Sequence, residues 1–335
     1  MYGYETFHED LMKNLIESVH NGASSHAYIF EGEKGLGVLN SARLFAAALT
    51  CKNTGVAPCG SCQNCVESKA DTNPDIIYVR PKADKKSIGA KDMRKLEEDV
   101  AVKPFNSKHK VYIFEDASLL TEEAQNTFLK TFEEPPEYAV FILITENSAS
   151  LLQTILSRFT LVHFPSVSDV IMEKYISEKY PEEKERLPFL IKYCAGVPGV
   201  ADNIINDENF ESVRTSSLEN LFSVLSTDRS SAFVVKKYLD ENKDKADNIF
   251  VFWLAYLRDI ILMQSQAPNM IINIDKKDTL RQLAAKYDTD YLMNMSKRVI
   301  KAKNMLARYV SLKAISLWLS CLLYTSPSPR DAHES

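Results

Sequence analysis

The sequence predicts an α/β domain followed by an all-helical region. Short apolar runs typical of buried parallel strands alternate with helical patterns from residue 27 to residue 164. A glycine-rich turn joins the first of these runs to the helical pattern that follows it. From Pro165 onward, apolar residues recur every three or four positions without a further strand pattern. These observations indicate a doubly wound parallel sheet and then a set of packed helices.

Length and composition limit the class of protein. A chain of 335 residues is long enough for two or three domains, and 45% hydrophobic with 25% charged residues is typical of a globular protein. Residues 4–21 read as an amphipathic helix rather than a signal peptide, and no apolar run reaches membrane-spanning length, so we expect a cytoplasmic protein without membrane contact. The net charge of −5 argues against a protein that binds nucleic acid without partners, although it allows one subunit of an assembly whose other members carry positive charge.

The glycine-rich turn has the spacing of a phosphate-binding loop. The apolar run 27–30 enters the turn, and a helical pattern leaves it. Gly32 and Gly37 stand where the motif G-x-x-x-x-G-K-S/T has its glycines, with Gly35 between them. In that motif, backbone N–H groups of the turn and of the helix N-terminus hold phosphates. An ordinary strand–turn–helix connection explains the same glycines, so the turn alone leaves both interpretations open.

The two side chains that bind nucleotide in such a loop are replaced by apolar ones. Val38 stands in place of the lysine, and Leu39 in place of the serine or threonine that binds Mg²⁺. A lysine–phosphate contact is a charge-assisted hydrogen bond worth about 1.5–3 kcal/mol, and leucine offers magnesium no oxygen. We therefore expect no functional ATP site, although the backbone amides of the turn can still hold an anion.

Four of the six cysteines lie within residues 51–65. Cys59, Cys62 and Cys65 are separated by two residues each, and Cys51 precedes them by seven intervening residues. C-x-x-C turns present thiolates from tight loops, and four thiolates complete a closed tetrahedral zinc shell. In a chain expected to be cytoplasmic, such clustering indicates metal rather than disulfides. We predict one structural Zn²⁺; the alternative is a set of free structural cysteines.

An acidic pair ends the predicted strand over residues 111–114. Nucleotide-hydrolysing sheets carry an Asp for Mg²⁺ and a Glu for the attacking water at this point. Here the order is reversed, with Glu115 in the metal position and Asp116 in the base position. Together with Val38 and Leu39, the reversal indicates that hydrolysis is no longer selected for.

Three later segments carry distinctive motifs: AQNTFLKTFEEPP at residues 124–136, FILIT at residues 141–145 and LLQTILSR at residues 151–158. These segments resemble the AAA+ clamp-loader subunits of bacterial DNA polymerase III. The cysteine module also resembles the one that this family carries between its first helix and its second strand. The resemblance extends over about residues 5–323 and is strongest over residues 26–165.

The resemblance implies three domains. Residues 1–165 form an AAA+ RecA-like sheet domain with the zinc module, residues 166–207 a small helical lid domain, and residues 208–323 a helical collar domain that packs into a ring with other subunits. Residues 324–335 contain two prolines and no apolar period, so we expect disorder there. This tail also resembles translated adapter sequence, and we assign it no function.

The resemblance also implies a role and partners. The ATP-hydrolysing gamma/tau subunits keep the lysine and threonine that are replaced here, whereas another member commonly has an eroded loop. The chain is therefore expected to be a non-hydrolysing subunit that works with gamma/tau and delta subunits, a sliding clamp and primer-template DNA. Gly199 stands where active members carry an arginine that touches the γ-phosphate, although helix punctuation also explains that glycine. The alternatives are an active gamma/tau-type ATPase and a zinc-bearing nucleic-acid module.

Arg158 is the predicted catalytic residue, and it acts in a neighbour's ATP site. It follows Ser157 where the family's Ser-Arg-Cys motif carries an arginine finger, with Phe159 in place of the cysteine. An arginine supplied in trans stabilises the charge of the γ-phosphoryl group in the transition state. The alternative is a structural arginine that pairs with a nearby carboxylate.

Overall fold

The structure is a computed structural model, and it describes residues 7–82, 85–226, 229–265 and 267–324. The predicted start of the first helix falls partly on residues 1–6, and the predicted disorder of the tail falls largely on residues 325–335. Both segments lie outside the described residues. Among the described residues, no helix is both long enough and apolar enough to cross a membrane.

The chain divides into two compact units. The first consists of Met1–Tyr175 with Gly196–Val200, and the second of Ile176–Ala195 with Ala201–Ser335. The three-domain division with boundaries at residues 165 and 207 stays a prediction.

A parallel sheet of five strands, counted over the described residues, organises the first unit. The strand order is β2-β3-β4-β1-β5, so β4 lies at the centre and β1 pairs with both β4 and β5. The central strands are continuous apolar runs because helices cover both faces of the sheet. The predicted doubly wound parallel sheet is confirmed. The strands are β1 (Ala27–Glu31), β2 (Ile76–Val79), β3 (Lys110–Phe114), β4 (Ala139–Thr145) and β5 (Thr160–His163).

Alternate strand residues enter two separate cores, one on each face of the sheet. Tyr28 and Phe30 belong to the core that includes Phe45 of the helix after β1. Ile29 and Phe141 belong to the opposite core, which is rich in phenylalanine. The helices that begin in this unit are α1 (Glu9–His20), α2 (Val38–Thr50), α3 (Gln63–Lys69), α4 (Ala90–Val100), α5 (Glu122–Glu133), α6 (Gln153–Leu156), α7 (Asp169–Lys179) and α9 (Pro198–Ile205).

The second unit is helical among its described residues, as predicted. Trp253 is fully buried and donates its indole N–H to the carbonyl of Ser217 at 2.9 Å, so it is a core residue of this unit. Its helices are α8 (Leu187–Cys194), α10 (Phe210–Leu225), α11 (Arg229–Glu241), α12 (Ala246–Gln264), α13 (Lys277–Lys286), α14 (Thr289–Ala307) and α15 (Leu312–Tyr324).

The last predicted helix is broken in the structure. Apolar residues recur every three or four positions at 292, 295, 299, 302, 306 and 309, and this period predicts one helix over residues 289–323 with a buried stripe that includes Tyr309. The prediction is wrong at Tyr309, which has a φ of +60° and is 98% exposed. The N–H groups of Tyr309 and Val310 bond back into the last turn of α14 at 2.9 and 3.1 Å, which ends that helix. The Ser311 side chain accepts from the N–H of Ala314 at 3.4 Å and begins α15. Buried as predicted are Leu292, Met295, Val299 and Ala302.

A buried arginine ties the second unit together. Arg214 of α10 is almost completely buried, and its guanidinium lies 3.7 Å from the ring centroid of Phe189. One guanidinium nitrogen donates to Asp275 at 2.6 Å and to Asn273 at 3.0 Å. A buried charge is tolerated only when it is paired and hydrogen-bonded, so these contacts fix the segment before α13 against α10.

Removing this guanidinium should destabilise the fold. Arg214→Ala is expected to lower the free energy of unfolding by about 3 kcal/mol, because Asp275 and Asn273 lose their shared partner and a void forms beside Phe189. Urea denaturation of the full chain measures the change. Arg281→Ala is the matched control, since Arg281 and its partner Asp278 are 65% and 92% exposed. Equal losses of stability in the two variants would contradict the assignment.

Candidate functional site

The glycine-rich turn connects β1 to α2, as predicted. Gly35 and Gly37 have φ values of +106° and +73°, a region that glycine enters without strain. Gly37 is the residue that precedes the first turn of α2. Gly32 has no room for a side chain, because a Cβ there would lie 2.9 Å from the Cβ of Phe164 and 3.0 Å from a methyl of Val38. The turn therefore has the glycine conformations and the strand–turn–helix setting that a phosphate-binding loop uses.

The side chains that follow the turn belong to the core. Val38 is only 6% exposed and packs in the core that contains Phe30 and Phe45. Leu39 is partly buried and packs against the same core. The positions that carry a lysine and a hydroxyl in a working nucleotide site are thus used here for apolar packing.

Gly199 lies directly on the turn. Its N–H donates to the carbonyl of Gly35 at 2.9 Å, and a Cβ on Gly199 would lie 2.5 Å from the Cα of Gly35. A Cβ on Gly35 would also lie 3.0 Å from a methyl carbon of Val197. The close approach of two backbones explains the glycine at position 199 without reference to a lost arginine. That it occupies the slot of a phosphate-sensing arginine stays a prediction.

The acidic pair after β3 makes local contacts. Glu115 forms an ion pair with Arg80 at 2.8 Å. The carboxylate of Asp116 accepts from the backbone N–H of Ser118 at 3.0 Å and caps a short 3-10 turn. Both carboxylates are therefore engaged in the chain's own structure at the edge of the sheet where a metal-bound nucleotide would need them.

One further carboxylate at this edge was not predicted. Glu31, the last residue of β1, accepts from the backbone N–H of Ser148 at 2.7 Å and lies 3.4 Å from the Nδ1 of His163. Hydrogen bonds from Ser148 lower the pKa of Glu31 below its usual range. The only signal in the sequence is that each of these residues lies at or just beyond the end of a predicted strand, and the carboxyl ends of parallel strands meet at one edge.

The four cysteines of the predicted metal site come together. Their sulfur atoms all lie within 4.8 Å of one another, with 4.0 Å between Cys51 and Cys62 and 4.0 Å between Cys59 and Cys65. A tetrahedral site with Zn–S bonds of about 2.3 Å separates its sulfurs by about 3.8 Å. The arrangement can therefore hold a metal ion with small shifts, and it includes Cys51, the ligand most distant in sequence.

Backbone amides favour the thiolate form of part of this cluster. The N–H of Cys62 lies 3.4 Å from the sulfur of Cys59, and the N–H of Asn53 lies 3.4 Å from the sulfur of Cys51. The backbone amides of Ser61 and Cys62 lower the pKa of the Cys59 thiol, whereas burial raises the pKa of the Cys51 thiol. The thiolate, not the thiol, is the metal ligand. The lowered pKa of Cys59 favours the thiolate before a metal binds, whereas the Cys51 thiol needs the bound cation to favour the loss of its proton.

Arg158 is exposed and paired. Its Nη2 lies 3.0 Å from a carboxylate oxygen of Glu133, and its Nη1 donates to the carbonyl of Thr154 at 2.9 Å and to Ser157 Oγ at 3.1 Å. The pairing with a carboxylate that we considered as an alternative is thus present. The side chains of Arg158 and Glu133 are 41% and 39% exposed, and such a pair contributes at most about 1 kcal/mol.

Helix α5 fixes the turn that carries this arginine. Phe159 is buried against Phe132 with ring centroids 5.0 Å apart and planes at 89°, so a phenylalanine fits where the family has a cysteine. The Gln125 side chain accepts from the N–H of Leu152 at 2.8 Å and holds the start of α6. A helix of one turn is not stable alone, so these contacts set the position of the arginine.

The arginine and the glycine-rich turn lie at opposite edges of the sheet. In the register of the two parallel strands, Thr160 is level with Tyr28 and His163 with Glu31. Arg158 precedes β5 and so lies at the amino edge, whereas Gly32 follows β1 at the carboxyl edge. Four strand residues span about 13 Å. Arg158 therefore lies at the end of the strands away from the glycine-rich turn of its own chain.

The known proteins that this chain resembles over most of its length are subunits of DNA polymerase III. Two family models match: one described as DNA polymerase III, delta subunit, over residues 7–168, and one described as DNA polymerase III, delta subunit, C terminal, over residues 208–325. The DNA polymerase III subunit delta' of Bacillus subtilis (strain 168) is 30% identical over 319 residues, which is 93% of this chain and 95% of that protein. The subunit delta' of Escherichia coli (strain K12) is 28% identical over 275 residues, 81% of this chain and 80% of that protein.

A second class of relative matches over a shorter length. The DNA polymerase III subunit tau/gamma of Haemophilus influenzae is 32% identical over 196 residues. The match includes 57% of this chain but only 28% of that protein. The full-length correspondence is thus with the delta' proteins.

Proposed function

The chain belongs to the DNA polymerase III subunit delta' family, and on this premise we propose that it is a non-hydrolysing stator subunit of a sliding-clamp loader. In this role it assembles with gamma/tau and delta subunits, and the complex places a sliding clamp on primer-template DNA. One observation carries the proposal. The exposed Arg158 lies at the end of the strands opposite the glycine-rich turn, and that turn is followed by apolar side chains instead of a lysine and a hydroxyl. The resemblance to clamp-loader subunits expected from the sequence is confirmed.

Three contacts support the proposal that the chain does not hydrolyse ATP itself. Val38 and Leu39 are packed in the core, the backbone of Gly199 lies against Gly35, and Glu115 is paired with Arg80. An active gamma/tau-type ATPase, the second candidate, needs a lysine and a hydroxyl where these apolar side chains lie. The length of the match also favours a delta' protein over a tau/gamma protein.

Restoring the two missing side chains should not restore catalysis. The double variant Val38→Lys/Leu39→Thr is expected to hydrolyse ATP at most about tenfold faster than the wild-type chain does. The reason is that Gly199 still lies on the turn, the acidic pair stays engaged, and the transition-state charge remains poorly stabilised. Equilibrium ATP binding and steady-state hydrolysis by the isolated chain measure the outcome. Hydrolysis by the double variant at rates typical of loader ATPases would show that only two residues separate this site from a working one.

The cysteine cluster is proposed to hold one structural Zn²⁺ through Cys51, Cys59, Cys62 and Cys65. Metal analysis of the purified chain is expected to give about one zinc per chain, and Cys59→Ser should lose the metal and lower the melting temperature. Cys194→Ser is the control, because Cys194 is buried outside the cluster and should keep the zinc. A chain without zinc whose four thiols react freely in the native state would exclude the site.

Arg158 is proposed to act in the ATP site of an adjoining gamma/tau subunit. Arg158→Ala should leave the fold and the metal content unchanged and slow ATP hydrolysis by the assembled complex. Arginines supplied in trans are worth about 10³–10⁵ in rate at the site they serve, and the complex loses the contribution of that one site. Hydrolysis and clamp loading by complexes reconstituted with each variant measure the effect.

Glu133→Gln is the matched control for this experiment. It removes the carboxylate of the ion pair and keeps the arginine. If Arg158 served only to pair with Glu133, the two variants would behave alike. Unchanged hydrolysis and loading in a fully assembled Arg158→Ala complex would refute the proposal.

A further inference from the structure

A cluster of buried polar side chains connects the cysteine module to the sheet. Asn73 Nδ2 donates to the carbonyl of Asn64 at 3.2 Å and to Ser68 Oγ at 3.0 Å. The N–H of Asp75 donates to Asn73 Oδ1 at 2.9 Å. Because a buried polar group is costly unless it is hydrogen-bonded, these bonds fix the residues relative to one another. We call this set the Asn64 cluster, and its members, none more than 5% exposed, are Thr50, Asn64, Ser68, Asn73 and Asp75.

Two members of the cluster directly precede candidate metal ligands. Thr50 precedes Cys51, and Asn64 precedes Cys65; these are the two buried cysteines of the module. Asn64 Nδ2 donates to the carbonyl of Thr50 at 2.7 Å. This single bond therefore joins the backbone just before one buried cysteine to the backbone just before the other.

The helix that carries Asn64 is short. Helix α3 has seven residues, begins directly after Cys62 and contains Cys65. A helix of this length is not stable by itself, so contacts outside the helix determine where it lies. A metal bound by Cys62 and Cys65 would hold the first turn of α3, and Asn64 lies between those two ligands in the sequence.

Asn64 also bonds to a segment far along the chain. Its Nδ2 donates to Ser107 Oγ at 2.9 Å. The side chain of Asp75, another member of the cluster, accepts from the backbone N–H groups of residues 105, 106 and 107 at 2.5, 2.8 and 2.8 Å. Hydrogen bonds to a carboxylate are about twice as strong as neutral ones, so the cluster holds the backbone of residues 105–107 firmly.

The same carboxylate residue anchors one side of the sheet. Asp75 directly precedes β2, which is the first strand in the strand order, and its carbonyl accepts from the N–H of Val111 in β3 at 2.8 Å. Residues 105–107 lie between α4 and β3. The Asn64 cluster therefore links the cysteine module to the β2–β3 side of the sheet.

We propose that Asn64 couples metal binding by the cysteines to the position of residues 105–107. The inference rests on the proposed zinc site, because the coupling begins at the metal. A metal that fixes Cys62 and Cys65 holds Asn64 in place to donate to Ser107. Coupling between two sites is reciprocal, so the bonds to residues 105–107 should in turn raise the affinity of the cysteines for Zn²⁺.

Hydrogen exchange of the full chain tests the first direction. Zn²⁺ is removed with a strong chelator, and amide exchange is followed by mass spectrometry with and without the metal. Without metal, the amides of residues 105–107 are expected to exchange at least about tenfold faster, because the segment opens more readily once α3 is released. The amides of β1 are the internal reference and should change by less than about threefold. Equal acceleration in both places, or unchanged exchange at residues 105–107, would overturn the proposal.

Zinc affinity tests the reverse direction. Competition with a chelating dye measures the dissociation constant of Zn²⁺ for the full chain and its variants. Asn64→Ala is expected to weaken zinc binding by about tenfold, an effect typical of residues that support metal ligands. Ser107→Ala keeps Asn64 and every cysteine, and it should weaken zinc binding by about threefold through the loss of one hydrogen bond. It should add nothing in the Asn64→Ala background, and it decides the question alone if Asn64→Ala does not fold.

Thr121→Ala is the matched control for Ser107→Ala. It also removes one partly buried hydroxyl, which accepts from the N–H of Ala124 at 3.2 Å and caps α5. This change should lower the melting temperature and leave the zinc affinity unchanged. Unchanged zinc affinity in Ser107→Ala, or an equal loss of affinity in Thr121→Ala, would contradict the coupling.

Metal content separates this inference from the zinc site itself. A wild-type chain that binds no Zn²⁺ would refute both. A chain that binds Zn²⁺, but whose residues 105–107 exchange equally fast with and without it, would keep the zinc site and refute only the coupling through Asn64.

Discussion

The parallel register of β1 and β5 is the constraint on which the functional geometry depends. Parallel strands place all their carboxyl ends at one edge, so the glycine-rich turn, the acidic pair after β3 and the Glu31–Ser148 contact meet there. The same register places Arg158 at the other edge, one strand length away. The glycine-rich turn and Arg158 therefore lie at opposite ends of the strands. This arrangement is expected if Arg158 acts on a nucleotide that a neighbouring subunit binds.

The side-chain positions around the glycine-rich turn are used for packing. Val38 packs with the core, and Gly199 approaches Gly35 so closely that neither position accepts a side chain. These contacts pack the turn against its neighbours, in agreement with the proposal that it holds no nucleotide. The segment that carries the cysteines is also bonded to a distant part of the chain. Asn64 donates to Ser107 Oγ, and the carboxylate of Asp75 accepts from the N–H of Ser107.

The parts of the structure that short-range patterns determine could be predicted from the sequence. Buried parallel strands are apolar on both faces, and the C-x-x-C turns bring their cysteines together locally, so both were predictable. The break at Tyr309 was not, because the apolar period continues through it and only the backbone bonds at the end of α14 stop the helix. The contacts of Asp75 with residues 105–107, and of Glu31 with Ser148, join positions 30 to 117 residues apart. No local pattern signals such pairs.

In the proposed role, this chain binds no nucleotide in its own turn and contributes Arg158 to a neighbouring subunit. The structure of the assembled complex with a non-hydrolysable ATP analogue would show both features at once. In that structure we expect an empty turn between Gly32 and Gly37. We also expect the Arg158 guanidinium within hydrogen-bond distance of a γ-phosphate held by the adjoining subunit, with its bond to Glu133 broken. Nucleotide bound in the turn of this chain, or Arg158 still paired with Glu133 and distant from every nucleotide, would contradict it.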